Sequence, residues 1–586
     1  MIPNDLQGNH KPDNVTNGSN HQENQKLIQK AGTPFQQILL LGLALALGFL
    51  FDLFLFGEDL GISFFLYTVI VLGTFGGIAA FFKIKRAKSS YLLSALTLFF
   101  AAMVFIRASG PLTFMNVSLT LALLGIIVVS LTGFSLEKYH IRDYFRFLLF
   151  PFDLIGKSFS FLEKFELKKV FKDHQKVSQV AKGFLLSLPF LLIFLMLFAS
   201  ADLVFSQYLK EFFHFKFLPP FRILTFAIIS TLALGNLVFI AEGNENKPLW
   251  AANNEEKRTL GNIQTAVFLG MINLLFLAFI LIQITYLFGG EKNIVEAGFT
   301  YAEYARRGFF ELIAVAAITS IILVFCDKKT ELRLTSNEPA IDTAETATIN
   351  QLKKGAEGES AVPPMVLSHS PAFKITAVLL ALQVIILMIS AFTRLSLYEY
   401  AFGFTELRLY SHIFILWLAA IFIVMLVKFI KNHRETTFTT TIFIITIFFA
   451  IGVNIFNPDA FIVRQNIALS INPLQQNNMM SARAPEFEGR ENLVEITPTP
   501  PIKELDTYYL SLLSEDALPE IVKAFNENPD LHSSFTEPLM SFYRKSTSYS
   551  PSWQSWHYSR SMAKELLGTK SVKEFLKGIQ ERIQEL

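Results

Sequence analysis

Cysteine is almost absent. Cys326 is the single one in 586 residues, which excludes an intramolecular disulfide and any paired-cysteine metal or redox centre. Charge is also scarce. Asp, Glu, Lys and Arg make up 17% of the chain, against about 25% in an average soluble protein, and the signs nearly cancel to a net +2. This balance excludes a disordered chain, a basic nucleic-acid binder and an ordinary soluble enzyme. Catalytic signatures are missing too. There is no phosphate-cradling Gly-x4-Gly-Lys-Ser/Thr loop, no His-Glu-x-x-His helix and no Gly-x-Ser-x-Gly elbow. His412 and His433 stand a full hydrophobic run apart, and no Cys/His cluster has metal-ligand spacing. No metal, cofactor or nucleic-acid partner is therefore expected. No internal repeat is evident, so an inverted-repeat transporter has no support.

What the chain has instead is apolar bulk: 52% hydrophobic residues, 61 of them Phe, and a mean hydropathy of +0.41. Eleven apolar runs are long enough to cross the roughly 30 Å hydrocarbon core. They cover 38–56, 61–82, 91–106, 112–134, 183–206, 221–241, 264–288, 308–325, 372–392, 411–429 and 438–456, the third being the shortest. In a bilayer each must be a helix, because no water satisfies an open backbone. The fold class expected is an all-α, polytopic membrane protein with a small helical C-terminal domain.

The connections supply an orientation. Alternate connections, beginning with 83–90, hold 26 Lys and Arg, whereas the others hold 9. Lys and Arg are retained in the cytoplasm. The polar N-terminal tail, 1–37, is expected to be disordered and cytoplasmic. It is too long and polar to be a signal peptide, so the first run acts as an uncleaved anchor. The C-terminal region faces outward from a bacterial inner membrane.

The organisation follows. Runs one to four occupy 38–134, runs five to eight 183–325, and runs nine to eleven 372–456. The basic connection 135–182 mixes Phe and Leu with Lys, which suits a helix lying on an anionic leaflet or a soluble helical hairpin. The connector 326–371 reads as disordered. Residues 457–503 form a post-membrane segment with a Pro-rich linker, and 504–586 a helical domain outside. Within that domain Leu510, Leu513, Ala517, Leu518, Ile521, Val522 and Phe525 keep helical spacing. Ser571 and Glu574 have the spacing of a capping box, followed by an apolar stripe at Val572, Phe575, Leu576, Ile579 and Ile583.

Polar and ionisable groups inside spans are costly and become candidates for function. Here they collect near the outer ends: Asp52, Arg107, Asn116, Asp202, Gln283, Glu311, Arg394 and Asn454. The inner half holds little beyond Asn236 and Gln264. Two segments concentrate chemistry. In 300–311, Glu303, Arg307 and Glu311 share a helical stripe beside Arg306. In 394–410, Arg394 and Tyr398 share a face with Glu399 beside them; Gly403 breaks the segment, and Glu406 and Arg408 follow. Asp459 and Arg464 lie just beyond the last run. Arg suits a phosphate or carboxylate, so these residues make either a ligand site or an Arg–Glu lock between helices.

The run Y-A-E-Y-A-R-R-G-F-F-E-L at 301–312 resembles the signature of a bacterial multi-pass membrane family catalogued only as a domain of unknown function. In agreement are Y-L-F-G-G at 286–290, R-L-S-L-Y-E-Y-A-F-G-F-T-E-L-R-L-Y at 394–410, and N-P-D-A at 457–460 with R-Q-N at 464–466. D-T-Y-Y-L-S-L-L-S-E-D-A-L-P at 506–519 and W-Q-S-W-H-Y-S-R at 553–560 complete the set. The resemblance implies a membrane location and no established reaction. Three functions stand open. One is a non-enzymatic envelope scaffold or regulator whose outer domain binds a protein. The others are a transporter or lipid translocator, and an enzyme acting on a lipid-linked or phosphorylated substrate. The missing catalytic constellation weighs against the enzyme, and the apolar inner half weighs against the translocator.

Overall fold

The computed structural model describes residues 33–133, 149–164, 202, 219–243, 258–288, 309–331, 333–335, 366–431, 435–471, 505–548 and 552–584. Among these, ten helices are long and apolar enough to cross a bilayer. They are α1 (Pro34–Leu55), α2 (Ile62–Phe81), α3 (Ser89–Ile106), α4 (Gly110–Leu131), α6 (Pro219–Glu242), α7 (Asn262–Phe288), α8 (Phe309–Lys329), α9 (Pro371–Phe402), α10 (Glu406–Lys431) and α11 (Glu435–Phe456). A shorter helix, α5 (Phe150–Lys164), lies between α4 and α6. The protein is a multi-pass membrane protein. Its helix starts follow local chemistry. Thr33 and Gln36 cap α1 reciprocally ahead of Pro34, and Ser370 caps α9 ahead of Pro371.

The helices pack as two groups. One core draws on α1 to α6 through Leu40, Phe75, Phe100, Ile127, Leu154 and Leu237. The other draws on α7 to α10 through Leu269, Leu323, Leu380 and Phe422. Helix α11 joins them, giving Ile447 and Ala450 to the first core and Phe438 to the second. A three-residue antiparallel ladder, β1 (Arg333–Thr335) with β2 (Val366–Ser368), adjoins the second group.

Two ends of the bundle can be told apart. At one, α4 finishes beside the start of α3, with Ser130 Oγ 3.2 Å from Ser89 Oγ. Gly243, after α6, faces Ile84 at this end. In the second group, Arg258 bonds the Thr330 carbonyl, while Asp327 takes Lys428 and, at 3.2 Å, His369. At the other end α1 finishes beside the start of α6, where Arg222 grips Asp52 through contacts of 2.6–2.9 Å. Helix α4 thus stops at the first end, and α6 starts at the second. The expected span at 183–206 falls outside the described residues except for Asp202, as do 1–32 and residues 336–365 of the expected 326–371 connector.

Helix α5 departs from the in-plane amphipathic helix expected for this stretch. It runs antiparallel along α6: Phe150 meets Phe239, Leu154 meets Gly235, and Ser158 Oγ donates to the Thr231 carbonyl at 2.6 Å. The cause is Gly235. A Cβ there would stand 2.2 Å from the Leu154 carbonyl oxygen, so only glycine admits this approach. Lys157 reaches back to Glu242 at 2.7 Å, keeping its charge at the helix end.

The C-terminal domain is helical: α12 (Pro458–Ile471), α13 (Thr507–Leu512), α14 (Leu518–Glu527), α15 (Thr536–Ser548), α16 (Tyr558–Leu567) and α17 (Lys570–Gln584), with 3-10 turns at Glu515–Ala517 and Pro529–Phe535. The stripe from Leu510 to Phe525 is buried together, but across two helices and a turn rather than one helix. Val572, Leu576 and Ile579 join the same core. The capping box at Ser571 does not form. Helix α17 begins at Lys570, its first turn closed by Lys573 N–H on the Thr569 carbonyl, and Ser571 Oγ instead pairs with Asn526 at 3.0 Å. Phe404, Leu409, Ile462 and Val463 share this core, so the domain is seated on the bundle end that carries Asp52.

Candidate functional site

The polar residues of this seat come from five places in the chain. Asn457 takes a left-handed conformation (φ 54°), which asparagine tolerates. Pro458 then opens α12. That bend puts Asp459 in the first turn of α12, fully buried, where its Oδ2 accepts from both the N–H and the hydroxyl of Ser514. Its Oδ1 receives no donor but lies in hydrogen-bonding reach of the Glu406 carboxyl. Burial raises the Asp459 carboxyl above the ordinary carboxylate range, against the lowering pull of Ser514, Glu406 and Arg107.

Asp516 is the second buried carboxylate. Oδ2 accepts from the backbone N–H of Ala108 (2.8 Å) and Ser109 (3.2 Å), between α3 and α4, and Oδ1 takes the Ser559 hydroxyl. Burial raises this group as well, in spite of the lowering bond from Ser559 and the Arg107 charge. Asn457 Nδ2 donates to the Asp516 carbonyl at 3.2 Å. Arg107 caps α11 by donating to the Asn454 carbonyl at 2.9 Å, and Asn454 and Asn116 exchange two amide bonds of 2.9 and 2.8 Å. Tyr509 OH accepts the Glu406 N–H at 2.7 Å, and burial pushes its phenol up to about 12. Asn466 holds both backbone groups of Phe404, at 2.7 and 2.9 Å.

The segment 553–560 clamps the same face. Ile62 N–H donates to the Trp556 carbonyl at 3.0 Å and Ser63 N–H to the Gln554 carbonyl at 3.2 Å. Gly61 is required here, since a Cβ would stand 2.6–2.8 Å from backbone atoms of 554–556. His557 is buried and pulled down to about 4, by desolvation first and then by Arg560, so its ring is neutral at physiological pH.

Among the residues expected to matter, Asp52 pairs with Arg222, and Arg394 is buried with Nη2 2.8 Å from Gln283 Oε1. Arg408 lies 4.1 Å over the Tyr398 ring and donates to the Gly403 carbonyl. Gly403 ends α9 with φ 84°. Arg464 approaches exposed-side Glu520 at 3.7 Å. Glu311 and Asp202 are exposed. Glu303, Arg306 and Arg307 lie outside the described residues. Asp52, Arg394 and Asp459 therefore each face a separate partner rather than one pocket.

Composition and spacing missed Asp516, Ser514, Ser559, Asn457 and Asn466, although all stand in the segments that carry the resemblance. His412 was also missed. Its Nδ1 is 3.1 Å from Glu399 Oε2 and its Nε2 is 3.2 Å from Ser396 Oγ and 3.3 Å from the Phe392 carbonyl, all within the buried contact of α9 and α10. No signal in the sequence paired residues on two helices across a turn. Among the described residues no group of three or more His, Cys, Asp or Glu has a metal-holding arrangement.

A family model described as a domain of unknown function, DUF4153, matches residues 94–336 and 366–524. No curated protein and no solved structure matches the chain.

Proposed function

The chain belongs to the DUF4153 family, and we propose that it is a non-enzymatic envelope protein, a scaffold or regulator, with its C-terminal domain seated outside a bacterial inner membrane. The observation that carries this reading is how the signature segments are used. Residues 403–408, 457–466, 506–519 and 553–560 bond one another and the helix ends. Such groups hold the domain in one position and leave its far surface for a partner protein. The outward orientation rests on the unequal basic residues of alternate connections. Contact of 135–182 with anionic lipid remains part of the proposal for its basic flanks.

The test is complementation of a deletion strain, read as envelope stress sensitivity. A chain ending before residue 504, present in the membrane at normal level, fails to complement. Full complementation by that shortened chain would sink the scaffold reading.

One observation favours a second reading, an enzyme on a lipid-linked or phosphorylated substrate. Ser396, His412 and Glu399 stand in the order nucleophile, base and orienting carboxylate. Ser396→Ala separates the two. The enzyme reading requires loss of complementation at normal abundance, whereas the scaffold reading requires none.

A further inference from the structure

The C-terminal domain has an apolar surface that its own fold leaves uncovered. Trp553 is 53% exposed, Trp556 38%, Tyr558 47% and Met562 39%. Tyr558 and Met562 are four residues apart on α16 and so share a face. Exposed rings of this size on a soluble domain mark a binding surface.

Their position specifies the partner. The Trp553 ring meets Phe54 edge-on, with centroids 5.3 Å apart, in the last turn of α1. The Trp556 ring lies 5.9 Å from Phe105, in the last turn of α3. Both rings are thus level with the final turns of membrane-spanning helices. The apolar surface around them continues down those helices through exposed Leu53 and Phe49 of α1, with Leu60 beside them in the connection. Above the rings the chemistry turns polar. Ser552 bonds Glu58, and Arg560 approaches Asp59 at 3.9 Å. Apolar rings below and charge above is the profile of a bilayer interface, where Trp and Tyr settle at headgroup depth. The backbone clamp on Gly61, Ile62 and Ser63 fixes this depth.

We propose that residues 552–562 of the C-terminal domain are immersed in the lipid interface, with Trp553 and Trp556 at the boundary of headgroups and acyl chains. The domain is thereby anchored to lipid as well as to the helix ends. The proposal is independent of which side of the membrane the domain faces, and of its scaffold or enzymatic role.

The chain has four tryptophans, and Trp250→Phe with Trp417→Phe leaves only 553 and 556. This full-length variant is placed in phosphatidylcholine vesicles with or without bromine on the acyl chains. Emission falls about twofold or more with the brominated lipid, as expected for rings at the interface, while aqueous iodide has little effect. Removing each remaining ring by Trp553→Phe or Trp556→Phe assigns the two contributions. Strong iodide quenching without bromolipid quenching would overturn the proposal by placing the rings in water. Protection from both quenchers would also overturn it, since a protein or a second copy would then cover them.

Discussion

Replacing Asp516 by alanine tests the seat of the domain most sharply. Its carboxylate holds two backbone N–H groups, Ala108 and Ser109, at 2.8 and 3.2 Å, with Ser559 on the other oxygen. Hydrogen bonds to a charged acceptor contribute about 1.5–3 kcal/mol each. The lower figure applies, because burial already works against the charged form of this group. Two bonds then come to about 3 kcal/mol, or about a hundredfold in the ratio of seated to unseated domain. Hydrogen exchange in lipid nanodiscs reads this directly. The Ala108 and Ser109 amides should exchange about a hundredfold faster in Asp516→Ala. Asp530→Ala, on the exposed surface of the same domain, should change neither. Unaltered protection of both amides in Asp516→Ala would refute the seat as described.

Acidification should tighten the same contact. Asp459 and Asp516 both have carboxyls raised by burial. A raised native value means that stability is complete below the ordinary value and is lost as pH rises through the native one. Protection of 108–109 should therefore increase as pH falls from neutral toward the ordinary carboxylate range, and Asp459→Asn should flatten the response. Gly235→Ala should lower the thermal midpoint by the equivalent of about 1–3 kcal/mol, the cost of overpacking a close contact; an unchanged midpoint would deny the α5–α6 approach. Asn116→Ala and Asn454→Ala should each cost about 1 kcal/mol, and the double variant should cost little more than either, measured by unfolding in detergent. Lys428→Ala should cost about 3–5 kcal/mol by leaving buried Asp327 without its cation, seen as loss of folded protein that Asp327→Asn partly restores.

The membrane helices were legible because a bilayer leaves apolar runs no other fold. Even the 18-residue α3 forms where the shortest run predicts it. Depth was legible as well: Asp52, Arg107, Asn116, Arg394 and Asn454 lie toward one end of the bundle, the end that seats the domain. Their partners were not. Asp52 waits for Arg222, 170 residues away, and Asn116 for Asn454, 338 residues away; pairing at such separation is decided by packing of whole helices. Helix α5 was misread because its Phe–Lys mixture fits a membrane surface and an antiparallel neighbour equally well, and only Gly235 on another helix distinguishes them. Asp459 was singled out but its partner Ser514 was not, and Asp516 was passed over because a carboxylate in a polar tail reads as solvated until the domain folds over it.

The arrangement of the two bundle ends is open to one direct measurement. With Cys326 replaced by alanine, no native thiol remains, and single cysteines can be placed at Gly110, Lys573 and Lys85. All three are exposed, and Gly110 has free space for a side chain. A membrane-impermeant maleimide added to intact spheroplasts should label Gly110→Cys and Lys573→Cys alike and spare Lys85→Cys until the membrane is opened. Labelling of Lys85→Cys in the closed spheroplast, with Gly110→Cys and Lys573→Cys protected, would contradict the outward seat of the C-terminal domain.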